Sequence, residues 1–460
     1  MKLGVRVGAI VEYLRGALWF LPSVTVLTAF VVGNVLTGVR VAPDSSLAAW
    51  VYGGGADGAR GVLEAVAGSV ITVTGVVFSL TVVTLQLASS QFSPRLLRTF
   101  LRDPANQIVL SVFLSTFAYS LTVLRVIRTG ATPDADFVPQ LAVTGGLVLA
   151  TASVAALVYF IHHISVELRV DKMMSDVETD TLDTIHNVYR RVVQRGRCAL
   201  PDVPDHAVAV RAGHSGIVQA VAPDSLFDDA VDRGLVVRVA PRVGERVVAG
   251  GTIAWCWTVD RDAPPPDLDD VSAFVNDAVQ VGFERTLQQD VVFGLRQLVD
   301  VAAKALSPGI NDPTTAVDAV GHLAALLTVL AERDLEPVLR HDDQGTVRLA
   351  LDRPRLGDYL DTACGQIRRY GAREPAVLIA LLWMLGEVDA RCRSDEHHRQ
   401  VAAQAALIVA AAERAIDEPC DVETVRNAAA ALGNGGRGER HTAVTAAERA
   451  AAATTGAGRT

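Results

Sequence analysis

The chain has 460 residues, of which half are apolar, a formal charge of −9 and a positive mean hydropathy. Soluble enzymes seldom reach a positive mean hydropathy, so part of this chain is expected to lie in lipid and the rest to form one or two further domains. The sequence has no block of basic residues, which excludes a nucleic-acid partner because binding to a phosphate backbone requires clustered cations.

Four apolar runs fill the first third of the chain, each close to the roughly 20 residues that a helix needs to cross a bilayer. They predict a transmembrane domain over residues 1–165. The first run is too long for the core of a signal peptide and is interpreted as a retained anchor. The predicted membrane helices are about 17–39, 62–88, 107–124 and 138–161.

The distribution of Lys and Arg in the short flanks predicts the orientation. Eight of these residues stand before the first run, between the second and third, and after the fourth, whereas four stand on the other side. The sequence therefore predicts a multi-pass protein of the bacterial inner membrane with both termini in the cytoplasm and the lipid bilayer as its partner.

The second run carries a row of polar residues at helical spacing, which we call the polar seam. Such a seam can line a path for ions or small solutes, because polar groups inside a membrane must face protein or water. The alternative is a helix-packing surface, and it is favoured because no ionisable residue lies deep in any of the four runs. The seam consists of Ser69, Thr72, Ser79, Gln86 and Ser90.

A basic segment follows the second run. Pro94 is expected to begin a short helix that aligns Arg95, Arg98 and Arg102 on one face, where they can contact anionic lipid headgroups. The alternative is that these are ordinary positive charges on a cytoplasmic loop.

Residues 166–200 predict a cytosolic helical extension that continues the fourth membrane helix. The apolar positions Met174, Val177, Thr181 and Ile185 recur at three-four spacing. No metal site is predicted in the chain: the five cysteines form no C-x-x-C pair, and the three-residue acidic and histidine row that begins at His163 is typical of a solvated helix face.

A small β-barrel-like module is predicted over residues 201–260, where Val-rich stretches alternate with Gly and Pro. Part of it resembles the half-repeat of lipoyl- and biotinyl-carrier barrels. Those carriers attach their cofactor to a lysine, and this chain has no lysine between Lys172 and Lys304. We therefore predict no bound cofactor.

Helical patterning returns after the Pro-rich linker 262–270 and predicts an α-helical cytosolic domain over residues 261–430. The pattern is broken near residues 341–351, where a hairpin is a candidate. The Ala-rich tail 431–460 has almost no large apolar side chain and is expected to be disordered. The fold class is thus mostly α.

The stretch ALSPGINDPTTAV joins two predicted helices of this domain. Asp312 is placed as a helix N-cap with Pro313 at the first helical position and Thr315 at the third, which explains the stretch by local backbone chemistry. The alternative is a ligand loop, in which Asn311, Asp312, Thr314 and Thr315 and the amides of the helix start hold an anion or polar ligand.

Three segments resemble bacterial predicted membrane proteins of the domain-of-unknown-function family 2254, over roughly residues 10–415. The resemblance implies several N-terminal membrane helices and a cytosolic C-terminal part, but no activity, cofactor or catalytic residue. The segments are LQLASSQFSPRLLRTF (85–100), FLSTFAYSL (113–121) and QDVVFGLRQLVDVAAKALSPGINDPTTA (289–316).

Two functions are consistent with these features. The first is an oligomeric channel or transporter-like protein whose cytosolic domain gates or assembles it, and a homo-oligomer is expected because four helices form a poor solitary pore. The alternative is a membrane-anchored sensor or scaffold that binds a ligand or partner through its cytosolic domain. An enzyme is the least favoured class, because no catalytic residue pattern stands out.

Overall fold

The computed structural model describes residues 19–39, 50–91, 104–128, 137–167, 169–191, 199–260 and 263–433. Side chains are described for all of these except residues 87–91, 167 and 433. The chain divides into two compact units, Met1–Lys172 and Met173–Thr460. We call them the N-terminal unit and the C-terminal unit. Most of the described residues are helical, in agreement with the predicted fold class.

Four apolar helices make up the described part of the N-terminal unit, at the positions of the four predicted runs. Each is long and apolar enough to cross a membrane. They are α1 (Phe20–Gly38), α2 (Ala56–Gln91), α3 (Pro104–Leu124) and α4 (Gln140–Glu167).

Helix α3 is the centre of the N-terminal unit, since it contacts α1, α2 and α4. In its apolar stretch 56% of the residues are buried, compared with 22% in each of the other three helices. Close approach relies on small residues: Gly145 of α4 lies against Tyr119 of α3, whose hydroxyl donates to the carbonyl of Ala142 at 2.9 Å. The outer sides of α1, α2 and α4 therefore carry the exposed apolar surface that lipid would cover.

The amphipathic segment after α4 forms a separate helix, α5 (Val170–Val188). The helical extension predicted to follow the fourth membrane helix is thus a helix of its own, because residue 169 between α4 and α5 is not helical. The predicted inward positions are confirmed for Met174, Val177, Thr181 and Ile185, all of which are buried.

The described part of the C-terminal unit contains two small β-sheets. The first five strands are β1 (Val208–Arg211), β2 (Gly216–Val221), β3 (Leu235–Val239), β4 (Arg246–Val247) and β5 (Thr252–Thr258). The other three are β6 (Val279–Gly282), β7 (Val338–His341) and β8 (Val347–Leu351). Strands β7 and β8 form the hairpin that was predicted near residues 341–351.

Both sheets are open, which means that the first and last strands of each do not pair with one another. One sheet has the order β1-β5-β3-β8-β7, and the other has the order β4-β2-β6. Three of the eight strands lie beyond residue 260, and β8 pairs in parallel with β3, so the predicted 201–260 segment shares its main sheet with the predicted helical domain. The strand order of the described residues forms no closed barrel, and the expected barrel-like module is two open sheets.

Eight helices complete the described part of the C-terminal unit after α5. They are α6 (Pro223–Asp232), α7 (Leu268–Ala278), α8 (Val291–Ala305), α9 (Pro313–Ala331), α10 (Leu356–Tyr370), α11 (Pro375–Asp389), α12 (Asp395–Ala415) and α13 (Pro419–Gly433). Helix α9 is a fifth helix that is long and apolar enough to cross a membrane. It packs between α8 and α11, which bury Leu323, Leu327 and Leu330 completely.

Candidate functional site

The loop between α8 and α9 is held by its own backbone. The amide of Asn311 donates to the carbonyl of Ser307 at 2.9 Å, and the amide of Asp312 donates to the carbonyl of Ala305 at 2.8 Å. Asn311 has a φ of 52°, a left-handed conformation that asparagine tolerates better than most residues. These backbone hydrogen bonds and the left-handed conformation of Asn311 reverse the direction of the chain between α8 and α9.

Asp312 is the N-cap of α9 and Pro313 stands in the first turn, as the sequence predicts. The carboxylate of Asp312 accepts hydrogen bonds from the amide of Thr315 at 3.1 Å and from the hydroxyl of Thr315 at 2.6 Å. Asn311 and Thr314 are exposed. Because the carboxylate already occupies the amide of Thr315 and adds negative charge, an anion would meet repulsion here.

Asp312→Ala is expected to reduce the free energy of unfolding by about 1 kcal/mol, the usual cost of losing an N-cap side chain. The thermal unfolding midpoint of the full chain in lipid nanodiscs measures this change. If the variant also loses an activity beyond this loss of stability, the loop has a role besides capping. Asp312→Asn serves as the control, because asparagine caps a helix without charge.

The polar seam lies on the exposed side of α2. Ser69, Thr72, Ser79 and Gln86 are all exposed, and the hydroxyl of Thr72 donates to the carbonyl of Gly68 in its own helix at 2.8 Å. The face that packs against the neighbouring helices is the opposite one, with Leu63, Val70 and Val77 buried. The side chain of Ser90 lies outside the described residues, as do Arg95, Arg98 and Arg102.

The most elaborate polar arrangement of the C-terminal unit was not found from the sequence. It begins with Gln289 and Asp290, which stand just before α8. The side-chain amide of Gln289 forms two hydrogen bonds of 3.0 Å with the backbone of Val221, the last residue of β2. Gln289 thereby continues the hydrogen bonding of a strand end whose backbone groups would otherwise be unpaired.

Asp290 is buried and has two structural partners. It caps α8 by accepting from the amide of Phe293 at 3.0 Å, and it receives Arg285 through both the Nε atom, at 2.6 Å, and the Nη2 atom, at 2.7 Å. A two-point contact between guanidinium and carboxylate fixes both planes, so this pair sets the direction in which α8 begins.

A cavity of about 380 Å³ opens beside these residues. Among the residues that line it are Tyr189, which follows α5, Tyr359 of α10 and Arg353 between β8 and α10. The two tyrosine hydroxyls are 2.6 Å apart, and the guanidinium of Arg353 lies 4.9 Å from the ring centre of Tyr189. This volume lies within the range of small-molecule sites in proteins.

Burial controls the charge state of this cluster. Desolvation raises the pKa of Tyr189 and that of Tyr359, so both phenols stay protonated at neutral pH. Desolvation also lowers the pKa of Arg353, although an arginine starts so high that it keeps its charge. The cavity is therefore lined by one cationic side chain, whose charge burial destabilises, and by two neutral hydroxyl groups.

No spacing rule connects these residues, because Tyr189, Arg353 and Tyr359 come from segments that only the tertiary fold brings together. The usable signal was the QD that precedes VVFG, since an acidic residue before an apolar helix indicates an N-cap. No group of three or more His, Cys, Asp or Glu residues suited to a metal ion occurs among residues whose positions the structure describes.

Comparison with known proteins shows the relationship of the chain. A family model described as predicted membrane protein, DUF2254, matches residues 15–387. An uncharacterized protein of Mycobacterium tuberculosis strain H37Rv is 42% identical over 424 residues, which is 92% of this chain and 81% of the relative. An uncharacterized protein of Mycobacterium bovis has the same identity and coverage. No solved structure matches the chain. The chain belongs to the DUF2254 family of predicted membrane proteins.

Proposed function

We propose that the protein crosses the bacterial inner membrane four times, through α1 to α4, with both termini in the cytoplasm. The excess of Lys and Arg on one side of these helices supports this orientation. Helix α9 is excluded from the count because α8 and α11 already cover it within the C-terminal unit. Burial alone does not separate α9 from α3, which is 56% buried compared with 50% for α9. The difference lies in the neighbours: α3 packs against the apolar helices α1, α2 and α4, whereas α9 packs against α8, which carries Arg296, Asp300 and Lys304.

Several copies of the chain would then associate through the outer side of α2. On this side Gly61, Gly68 and Gly75 recur every seven residues, and a side chain at any of them would meet nothing within 4 Å. Each glycine costs a helix about 1 kcal/mol relative to alanine, and packing within one copy does not require it. A second helix that approaches closely is the arrangement in which such glycines are useful.

The function that follows is an oligomeric channel or transporter-like protein in which the polar seam of each copy faces a common axis. The observation that carries this proposal is that Ser69, Thr72, Ser79 and Gln86 point away from the helices of their own unit. A hydroxyl in that direction can bond to its own helix, as Thr72 does, but the side-chain amide of Gln86 needs either a partner helix or water. In this arrangement the C-terminal unit assembles or gates the oligomer.

Cysteine accessibility tests the proposal. Ser79→Cys is expected to react with a water-soluble, positively charged methanethiosulfonate at least about tenfold faster than Phe78→Cys, because a thiol that faces lipid stays protonated and unreactive. Phe78 is the matched control, since it is exposed on a neighbouring side of α2. The background carries Cys198→Ser, Cys392→Ser and Cys420→Ser.

The remaining native thiols do not interfere, because burial raises the pKa of Cys256 and that of Cys364 to about 12. If Ser79→Cys is unreactive but forms a disulfide between copies, the seam is a packing surface and the channel proposal fails. If it neither reacts nor crosslinks, self-association through α2 fails as well.

The second candidate is a membrane-anchored sensor, and the cavity of the C-terminal unit is the observation that favours it. In that case the membrane helices serve as an anchor and their self-association only holds copies together. Solute flux across the membrane of vesicles that contain the purified protein separates the two functions. A channel conducts solute, whereas a sensor does not, whether or not Ser79→Cys forms a crosslink between copies.

A further inference from the structure

The carboxylates and the side-chain amide of Gln289 that line the cavity already hold hydrogen bonds, and the other two lining amides, Asn187 and Gln288, are on exposed side chains. Both oxygens of Asp290 accept from Arg285, and Gln289 is bound to the backbone of Val221 at both ends. Asp352 accepts from Arg242 through one oxygen, at 2.8 Å, and from the amide of Arg353 through the other, at 2.9 Å. A ligand that brought only donors would have to share these acceptors with the groups that already donate to them.

Donors, in contrast, remain available. The guanidinium of Arg353 donates from its Nη2 atom to the carbonyl of Val188 at 3.0 Å, and within the described part of the chain no carboxylate lies at salt-bridge distance from it. The hydroxyl pair adds another donor: one of Tyr189 and Tyr359 donates to the other, so the proton of the accepting hydroxyl has no acceptor among the described residues.

The charged groups beside the cavity differ in how directly they are paired. Arg285 forms an ion pair with Asp290 and Arg242 forms ion pairs with both Asp352 and Asp358, whereas Arg353 forms no salt bridge with a residue of the described segments. Its charge is stabilised by the ring of Tyr189, by one carbonyl and, from beyond salt-bridge distance, by Asp334. A bound negative group would add the direct ion pair that this half-buried cation does not form with the described residues.

Apart from the exposed amides of Asn187 and Gln288, the remaining walls are apolar. They come from the ends of the two sheets and from the prolines beside them, namely Val221, Val239, Leu351, Pro223, Pro241 and Pro354. An inorganic anion would leave these walls uncovered, whereas a molecule with an apolar body would cover them and release water.

We propose that this cavity binds a small organic anion, whose acidic group contacts Arg353 and the Tyr189–Tyr359 hydroxyl pair and whose apolar body lies against the proline and valine walls. The ligands of this class share one feature, a carboxylate or phosphate group attached to an apolar body. This site is separate from the ALSPGINDP loop, and it does not depend on self-association through α2.

Binding can be tested on the full chain in lipid nanodiscs with matched pairs of probes. Hexanoate is compared with hexanamide and benzoate with benzamide, while phenyl phosphate and inorganic phosphate separate the acidic group from the body. We expect at least one of the organic acids to raise the thermal unfolding midpoint in a saturable manner and its neutral amide to leave it unchanged. A stronger shift with phenyl phosphate than with benzoate would assign the phosphate form.

Arg353→Gln is expected to weaken the apparent affinity for the acid about tenfold or more, which is the usual effect of losing a charge-assisted hydrogen bond. Arg369→Gln removes the same charge from an exposed position on α10 and should leave the affinity unchanged. Tyr189→Phe combined with Tyr359→Phe keeps both rings and removes both hydroxyls, so it tests the donor pair even if Arg353→Gln fails to fold.

The proposal is wrong if no acid shifts the unfolding midpoint, if the amides act as strongly as the acids, or if binding is the same in the Arg353→Gln and double phenylalanine variants as in the native chain. These outcomes concern ligand binding alone. They leave the channel proposal unaffected, since that proposal is decided by the accessibility of Ser79→Cys and by solute flux.

Discussion

Asp290→Ala is expected to reduce the free energy of unfolding by about 3–5 kcal/mol, the cost of breaking a buried ion pair from one side. The variant leaves the guanidinium of Arg285, whose side chain is 23% exposed, without its two bonds, and it removes the cap from the amide of Phe293. For a unit of this size the thermal unfolding midpoint should fall by roughly 5–10 °C. Circular dichroism of the full chain in nanodiscs measures it.

Asp312→Ala is the matched control for this variant, because Asp312 is also a helix N-cap but lacks an arginine partner among the described residues. The two variants should therefore differ by about 2 kcal/mol or more. Equal losses would mean that the contact of Arg285 with Asp290 contributes nothing beyond capping. Asp290→Asn should fall between them, since asparagine can still cap α8 but cannot pair with a cation.

Gly294→Ala is expected to destabilise the C-terminal unit by about 1–3 kcal/mol, although alanine is the better helix former. Gly294 lies within α8, and a Cβ there would stand 2.7 Å from the Cγ2 atom and 2.8 Å from the Cβ atom of Thr181. Thr181 is completely buried and its hydroxyl donates to the carbonyl of Val177 at 2.6 Å. Its side chain therefore cannot move away from an added Cβ atom. The thermal unfolding midpoint again measures the loss.

Gly365→Ala provides the opposite expectation. Gly365 lies within α10, and a Cβ there would meet nothing within 4 Å. The substitution should therefore stabilise the protein by about 0.5–1 kcal/mol through helix propensity alone. If Gly294→Ala raises the unfolding midpoint as much as Gly365→Ala does, then α5 and α8 separate easily and the close contact at Thr181 carries no constraint.

Local patterns were sufficient to predict features that depend on neighbouring residues. The start of α9 at Asp312 and Pro313 follows from capping and proline geometry, and the buried side of α5 follows from the spacing of Met174, Val177 and Thr181. These features could be predicted because each is determined within a few turns of helix.

Features that depend on distant segments could not be predicted in the same way. Periodicity identified the polar seam of α2, but it could not indicate whether that side or the opposite side, with Leu63 and Val70, packs against α3 and α4. The candidate site is a stronger example: Tyr189 and Tyr359 share a hydrogen bond although they lie in different helical regions. A single sequence contains no local signal for such a pair.

The parallel pairing of β3 with β8 has a consequence for the order of events during synthesis. Strand β3 leaves the ribosome more than a hundred residues before its partner. At about 5–20 residues per second this interval is on the order of ten seconds. Throughout that time one edge of β3 is unpaired, and such an edge can pair with a strand of another nascent chain. Closely spaced ribosomes therefore favour wrong pairing through β3, and a chaperone that covers this strand opposes it.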